Sequence, residues 1–257
     1  MKIITWNVNG LRAIERKGEL DNLIQKYSPD IICIQETKST IDQLQDETKD
    51  KQGYFSFFES ANNRKGYSGV AIYTKTQPVK VSGTMGYKEE DFLDNEGRTI
   101  VAEYESFYLL NGYFPNGNKS EEHFKYKLEY YRRFLNLVRK LEEKKPVIFC
   151  GDVNATVADI DLARPKENAG QVGCTPEERE LLAEWKKYFL DIWRKENPEK
   201  QEYTWWDMKT FARERNVGWR IDYFFISQSL EEKVQEIKIL GEIYGSDHCP
   251  LLLDVKI

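Results

Sequence analysis

Side chains that can bind a metal ion or a phosphate group stand repeatedly where an apolar run of the sequence ends. Asn7 and Asn9 follow IITW, Glu36 follows DIICIQ, and Asp152 and Asn154 follow the run PVIFCG. Equivalent positions are taken by Tyr113 and Asn116 at the end of FYLLNG and by Asp247 and His248 before CPLLL. Singly, most of these residue types are ordinary turn formers. Together they supply the carboxylates, amides, phenol and imidazole that metal-assisted hydrolysis of a phosphodiester requires.

The apolar runs that would position these side chains are typical of β-strands, since they are short and rich in Ile, Val, Tyr and Phe. The runs are IITWNV, DIICIQE, SGVAIYT, TIVAEYE, FYLLNGY, PVIFCGD, RIDYFFI and CPLLLDV. The ends of neighbouring strands converge at one edge of a sheet, so groups far apart in sequence are expected to meet in one cleft.

Helical patterns lie between the strand-like runs. Apolar residues recur at helical spacing over 20–27 and over a longer stretch, 124–138, whose helix is expected to begin at Ser120. Thr175 and Glu178, with a proline between them, form a capping box that predicts a helix running to about Phe189.

This mixture of elements indicates an α/β or α+β sandwich with helices outside the sheets. The 257 residues are enough for one well-packed domain. Because no linker, repeat or low-complexity tract interrupts them, residues 1–257 are expected to form a single domain.

The composition narrows the kind of metal site and the cellular compartment. The sequence has two histidines and four cysteines without a CxxC pair, which disfavours structural zinc and favours a reducing, intracellular location. The N-terminus, MKIITWNVNG, is expected to be a strand rather than a signal peptide, and no stretch is suited to span a membrane. Any bound metal is expected to prefer carboxylate oxygen.

The formal net charge of −5 gives no overall attraction to a polyanion. Binding to nucleic acid would therefore depend on local basic clusters, most members of which could equally be solvated surface. The candidate clusters are Arg12, Arg16 and Lys17; Arg64 and Lys65; Lys119, Lys125 and Lys127; and Arg213, Arg215 and Arg220.

Motifs spread along nearly the whole chain resemble the exonuclease III family of abasic-site endonucleases, part of the endonuclease/exonuclease/phosphatase superfamily. They are WNVNGLR, IQETK, KGYSGVAIYTK, YFPNG, GDVNATVADIDLARPKEN, YTWWDM, RERNVGWRIDYFFIS and GSDHCP, in that order. GDVN and SDH alone would indicate only the superfamily, whereas GWRIDYFF and YSGVA indicate its DNA-repair branch.

The resemblance implies a four-layer sandwich of two mixed, mainly antiparallel β-sheets flanked by helices. It also implies a Mg²⁺-dependent phosphodiesterase, with Mn²⁺ as a substitute, that cuts duplex DNA 5′ to an abasic site and leaves a 3′-hydroxyl and a 5′-deoxyribose phosphate. The expected partner is double-stranded DNA with abasic or 3′-blocked sites, and the expected enzyme is a cytoplasmic, nucleoid-associated monomer. The extent of 3′ to 5′ exonuclease activity stays open.

By the same resemblance, Glu36 is the principal Mg²⁺ ligand, and Asn9 and Asp247 contribute directly or through water. Some relatives have Asp where this chain has Asn9, which leaves one negative charge fewer at the metal. The wider set of implied metal-site residues is Asn7, Asn9, Glu36, Asp152, Asn154 and Asp247.

The implied catalytic residues each match a family motif. Asp152 would orient and deprotonate the attacking water, and Asn154 would stabilise the transition state. His248 would contact the scissile phosphate with its ring held by Asp222, and Tyr113 would contact the same phosphate.

The substrate-binding residues implied by the resemblance form a phosphate contact, a sugar pocket and a DNA-contacting surface. Asn116 would contact the phosphate, and Trp205 and Trp219 would wall a pocket for the base-free sugar. The position of Trp205 is often Phe in relatives. Groove and backbone contacts are assigned to Arg12, Lys65, Gly66, Tyr67 and Asn168, and more weakly to Lys119 and Lys209, which fall on variable loops.

Two other functions fit part of the pattern. Another phosphoesterase of the superfamily, such as a phosphatase or deadenylase, would share GDVN and SDH but not the DNA-repair motifs. A non-catalytic DNA-binding module is disfavoured because Glu36, Asp152, Asp222, Asp247 and His248 are all present.

Overall fold

Two β-sheets form the centre of the protein in the computed structural model, which describes residues 1–62, 64–86 and 95–257. The strands are β1 (Lys2–Asn7), β2 (Ile31–Gln35), β3 (Phe55–Glu59), β4 (Val70–Thr74), β5 (Lys80–Ser82), β6 (Thr99–Glu103), β7 (Tyr108–Tyr113), β8 (Val147–Asp152), β9 (Phe189–Asp191), β10 (Asp222–Ser227), β11 (Val234–Ile239) and β12 (Leu251–Val255). The helices are α1 (Leu11–Arg16), α2 (Glu19–Tyr27), α3 (Asp46–Lys49), α4 (Glu121–Glu142), α5 (Pro165–Asn168), α6 (Pro176–Trp185) and α7 (Ile192–Glu196).

The described strands divide equally between the sheets. The first sheet has the order β11-β12-β1-β2-β4-β3 and the second β5-β6-β7-β8-β10-β9. In each, the one parallel pair among the described strands lies at the centre, β1 with β2 and β7 with β8, and the other neighbours are antiparallel. The carboxyl ends of the four central parallel strands carry predicted site residues.

Apolar side chains pack between the two sheets and on their outer faces. The central layer includes Ile72, Leu109 and Phe224, all fully buried. On the outer face of the second sheet α4 and α6 bury an aromatic cluster, whereas α1 and α2 cover the outer face of the first sheet. The four-layer sandwich expected from the sequence is therefore confirmed.

Buried amides connect the two sheets across this apolar layer. Asn111 of β7 donates from Nδ2 to the carbonyl oxygens of Ile34 (2.9 Å) and Ala71 (2.8 Å). Gln35 of β2 donates from Nε2 to Asn111 Oδ1 at 2.6 Å. Directional hydrogen bonds of this kind fix one alignment of the two sheets. Apolar packing alone would specify that alignment less strictly.

The helix starts predicted from the sequence are confirmed, but one helix end is wrong. Ser120 caps α4 and Thr175 caps α6, each accepting a hydrogen bond from a backbone N–H of the first turn. The predicted end of the second helix near Phe189 is too late, because α6 ends at Trp185. Phe189 instead begins β9, which pairs with β10 through Ser227.

Candidate active site

A cleft of 440 Å³ opens where the carboxyl ends of the central strands of both sheets meet. Its walls include predicted site residues from every part of the chain. These are Asn9, Glu36, Asn116, Asp152, Asn154, Trp205, Trp219, Asp247 and His248. Tyr113, Asn7 and Asp222 stand directly behind them, each hydrogen-bonded to one of the lining residues. The expected convergence of strand ends is thus present.

His248 is held by a buried carboxylate. Its Nδ1 lies 2.8 Å from Asp222 Oδ2, and its Nε2 lies 3.9 Å from Asp152 Oδ2. Burial by itself lowers the pKa of the imidazole, but the nearby carboxylates, Asp222 first, raise that pKa to about 10. At neutral pH the ring is therefore protonated, with Nε2–H directed at the cleft side.

Asp152 shares the floor of the cleft with His248. Its Oδ2 accepts hydrogen bonds from Asn7 Nδ2 (2.8 Å) and Asn154 Nδ2 (3.1 Å), while Oδ1 accepts from Asn154 N (2.8 Å). Burial raises the pKa of Asp152 to about 7, with His248 opposing the rise and Asp222 adding to it. A carboxylate with a pKa near neutrality is suited to accept a proton from water.

Glu36 faces Asp152 from the other sheet. Tyr113 donates its phenolic hydrogen to Glu36 Oε1, and the Lys38 ammonium lies 2.7 Å from Glu36 Oε2. Burial, followed by the charge of Glu36, raises the pKa of Tyr113 well above its usual value. Tyr113 is therefore a neutral phenol that can donate a hydrogen bond.

A third carboxylate, Asp247, joins the cleft wall to the neighbouring loops. Asn9 Nδ2 donates to its Oδ1 at 2.9 Å and Trp205 Nε1 to its Oδ2 at 3.1 Å. Burial favours the neutral acid, but His248, Asn9 and Trp205 together lower the pKa of Asp247. Asp247 is thus ionised and both of its oxygens are already oriented.

Several site residues adopt a left-handed backbone conformation that non-glycine residues seldom use. The φ angles are 49° for Asn9, 53° for Glu36 and 57° for Asn154. Such conformations cost about 1–3 kcal/mol each and persist only where surrounding contacts maintain them. They turn the chain sharply after each strand, so that these side chains point into the cleft.

The donor atoms around the cleft fit a hard divalent cation. Glu36 and Asp247 present carboxylates, and Asn9 presents an amide oxygen, which are the ligand types that Mg²⁺ accepts. A second group, Asp152, Asp222 and His248, has ligand atoms within 4.8 Å of one another. This group includes Asp152, which the sequence predicts both as a metal ligand and as the general base.

The profile of the endonuclease/exonuclease/phosphatase family matches residues 4–248. The chain belongs to this family. It is 38% identical to the exodeoxyribonuclease of Bacillus subtilis, with all of both chains covered. It is also 38% identical to the DNA repair nuclease APEX1 of Danio rerio, over 98% of this chain and 81% of the relative. Among solved structures, an AP endonuclease from Archaeoglobus fulgidus matches with a TM-score of 0.89 at 28% identity, covering 100% of each chain.

These relatives confirm the resemblance to exonuclease III-type enzymes on which the site assignments depend. Within the family fold, the tryptophan wall of this chain has a defined geometry. The rings of Trp205 and Trp219 lie edge to face, with centroids 6.2 Å apart. Gly173 packs on this wall, since a Cβ at that position would lie 2.8 Å from the Trp219 ring.

The predicted DNA-contacting residues are distributed over separate surfaces beside the cleft. Arg12 lines a neighbouring hollow of 240 Å³ that shares Lys38 with the cleft. Tyr67 accepts a hydrogen bond from buried Arg98 at 2.8 Å, and Lys65 and Gly66 are exposed in the same turn. Asn168 does not line the cleft; its side chain donates to Arg164 O at 2.8 Å.

The sequence analysis missed residues that lie directly in or beneath the site. Lys38 lies in the motif IQETK, but no binding or catalytic role was predicted for it. In the structure its ammonium contacts both Glu36 and Asn9. Arg98 also went unassigned, and it lies 4.9 Å from the centre of the Tyr113 ring while donating to Tyr113 O at 3.1 Å. A buried arginine leaves no spacing signal in a single sequence, so only Lys38 could have been found.

Among the described residues, the helices are too short or too polar to cross a lipid bilayer.

Proposed function

We propose that this protein is a DNA-repair endonuclease that hydrolyses the phosphodiester 5′ to an abasic site in duplex DNA. The products are a 3′-hydroxyl and a 5′-deoxyribose phosphate. The observation that carries the proposal is the cleft floor, where a protonated His248, paired with Asp222, faces a carboxylate of raised pKa, Asp152. The names of the relatives, a DNA repair nuclease and an AP endonuclease, support the same substrate class.

In the proposed reaction, proton transfer and charge stabilisation are divided among the residues of the cleft floor. Asp152 orients the attacking water and accepts its proton, because burial raises its pKa to about 7. His248 donates a charge-assisted hydrogen bond to the phosphate, and Tyr113 donates a neutral one when its single hydrogen turns from Glu36 Oε1 to the phosphate. Asn116 donates one amide N–H to Asn154 Oδ1 at 3.1 Å and would direct the other at the developing phosphorane oxygens. Asn154 would donate to the same oxygens by giving up its bond to Phe114 O or to Asp152 Oδ2.

Glu36, Asn9 and Asp247 would hold Mg²⁺, which supplies positive charge to the phosphorane when bound, and Mn²⁺ is expected to substitute. The wider donor set also includes the Asp152 carboxylate and the amides of Asn7 and Asn154. Asn9 places a neutral ligand where some relatives have a carboxylate, and Lys38 adds a positive charge beside it. We therefore expect this protein to bind the metal more weakly than those relatives do.

The tryptophan wall would admit a base-free sugar turned out of the helix and exclude an intact nucleotide by size. Arg12, Lys65, Gly66, Tyr67 and Asn168 are proposed to contact the flanking backbone, where each neutralised phosphate adds about one unit to the salt dependence of binding. The proposal also includes a second substrate, duplex DNA with 3′-blocked ends, and a 3′ to 5′ exonuclease activity. It further includes a single domain over 1–257, a monomeric state and an intracellular, nucleoid-associated location.

The test is a gel assay of a labelled duplex carrying one stable abasic analogue, with Mg²⁺ and with EDTA. We expect incision 5′ to the lesion only with the metal, and no comparable hydrolysis of a phosphoinositide or a poly(A) strand. Asp152→Asn should lower kcat by about 10²–10⁴-fold, the range of general-base catalysis, whereas the exposed Asp46→Asn should not. Hydrolysis of the phosphoinositide or poly(A) instead, or binding of the duplex without incision, would reject the proposal.

A further inference from the structure

A buried ammonium group lies directly behind the cleft. Lys127 of α4 has a side chain with no exposed surface, and its three N–H groups have three oxygen neighbours. Nζ donates to Asn154 O at 2.7 Å and to Asn116 O at 3.1 Å, and lies 2.5 Å from Glu178 Oε1. One cation therefore holds the main chain of both proposed phosphate-binding asparagines.

Glu178 of α6, equally buried, extends this contact to a third segment. Its Oε2 accepts hydrogen bonds from Gly173 N at 2.7 Å and Thr175 N at 3.0 Å. Gly173 is the residue that packs against the Trp219 ring. The ion pair thus connects the loops that carry Asn116 and Asn154 with the Gly173 loop, which supports the tryptophan wall.

The link to Asn154 matters most for the chemistry. Asn154 has a φ angle of 57°, a conformation that its surroundings must maintain. From that conformation its side chain donates to Phe114 O at 2.9 Å and to Asp152 Oδ2 at 3.1 Å. Releasing the carbonyl of Asn154 would therefore disturb the proposed base as well as the proposed transition-state donor.

We propose that the Lys127–Glu178 ion pair is a positioning device that sets Asn116, Asn154 and the Gly173 loop for catalysis. Neither residue lines the cleft, so both act through the residues they hold. The inference depends on the roles proposed above for Asn116 and Asn154. A pair that served folding alone would influence stability and leave the turnover of the folded enzyme unchanged.

Lys127→Met keeps the length of the side chain and removes the ammonium. With the abasic duplex we expect kcat to fall by about 100-fold, the effect of a small misplacement of catalytic groups. KM should change much less than kcat, because the groove and backbone contacts proposed for Arg12, Lys65 and Tyr67 are left intact. Near-UV circular dichroism identifies the folded fraction to which kcat is normalised.

Lys51→Met is the matched control. Lys51 is also a nearly buried lysine, paired with Glu15 at 3.0 Å and Asp21 at 2.6 Å, and it is absent from the cleft lining. It should lose stability comparably and keep the wild-type kcat. Equal losses of kcat in the two variants would overturn the inference, as would a folded Lys127→Met enzyme with unchanged kcat.

Two further variants apply if Lys127→Met does not fold. Lys127→Met with Glu178→Gln leaves no unpaired charge, and Glu178→Gln alone keeps an oxygen for the Gly173 and Thr175 amides. We expect kcat losses of about 100-fold and 10-fold respectively; full turnover in the folded variants would refute the positioning role. Wild-type protein that does not cut the abasic duplex would instead reject the proposed function.

Discussion

At the residue scale, the positive charge of protonated His248 has the largest consequences for catalysis and stability. Asp222 Oδ2 accepts from the ring, and Asp222 Oδ1 is buried without a hydrogen-bond partner among the described residues. The carboxylate is therefore committed to His248, whose raised pKa favours the charged imidazolium in the folded state. This contribution to stability is complete below the unfolded pKa of 6.5 and is lost as the pH rises through about 10.

Asp222→Asn tests this charge. Without the carboxylate, burial is opposed only by the charges of Asp152 and Asp247, so the pKa of His248 should fall and less of the ring should be protonated at pH 7.5. Turnover should fall by about 10²–10⁴-fold at that pH, as when a histidine loses its carboxylate partner. Because acid restores the proton, the ratio of variant to wild-type kcat should be higher at pH 6 than at pH 9. A ratio independent of pH would contradict the assignment.

Most of the residues that line the cleft were predicted from the sequence, because polar side chains at the ends of apolar strands form a visible pattern of residue types. It could not predict which atoms meet. The contact of Trp205 with Asp247 and that of Tyr113 with Glu36 join residues from different loops and sheets, which only the packed fold brings together. The site roles themselves stay predictions until the variants are measured.

At the scale of elements, the parallel pair β7 and β8 carries Tyr113 and Asp152 side by side. The strands approach closely one residue earlier, at Gly112 and Gly151, which are opposite each other. A Cβ on Gly151 would lie 1.9 Å from Gly112 O, and its φ of 133° also favours glycine. This contact explains the glycine before Asp152 in the motif GDVN.

Gly151→Ala should therefore destabilise the fold by about 2–4 kcal/mol, from backbone strain and overpacking together. The surviving folded enzyme should also lose turnover, because separating the strands displaces Asp152. Urea denaturation and the abasic-duplex assay measure the two effects.

Gly53→Ala provides the comparison for this variant. Gly53 also has a positive φ, 84°, but a Cβ there would meet nothing within 4 Å. It should cost about 1–2 kcal/mol with turnover kept. Equal destabilisation by the two substitutions would show that the close approach at Gly151 is unimportant.

The strands that the sequence predicted and those it missed differ in position. All eight apolar runs form strands, whereas β3, β5, β9 and β11 were missed, and these four are the edges of the two sheets. An edge strand has a partner on one side only, so its sequence need not be continuously apolar. In VQEIKI of β11, for example, only Ile237 is buried.

At the scale of the whole molecule, the proposed active site, in which the metal would lie, bridges the two sheets. Glu36 extends from the first sheet, while its partner Tyr113 and the base Asp152 belong to the second. A cation bound there would be a ligand of the folded state alone, since the donors are dispersed in the unfolded chain.

We therefore expect Mg²⁺ at 100 times its Kd to raise the Tm by about 5–10 °C, from the linkage energy and the size of the chain. Glu36→Gln should abolish most of this increase, since it replaces the principal carboxylate by a neutral group. Differential scanning fluorimetry with Mg²⁺ and with EDTA measures the shift. Glu103→Gln, at the opposite end of the second sheet, should retain the increase in Tm. If Glu36→Gln showed the same increase as the wild type, Glu36 would not be a metal ligand.

The buried amides of Gln35 and Asn111 have a consequence for building chimaeras. Glu36 and His248 adjoin the first sheet, whereas Asp152 and Asp222 belong to the second, so exchanging one sheet with that of a relative transplants only part of the active site. Such a hybrid would function only if the transplanted half presents the carbonyl and amide partners that these two side chains require. Whether the exchanged sheets are compatible thus depends on the hydrogen bonds of Gln35 and Asn111, which lie inside the molecule and away from the DNA.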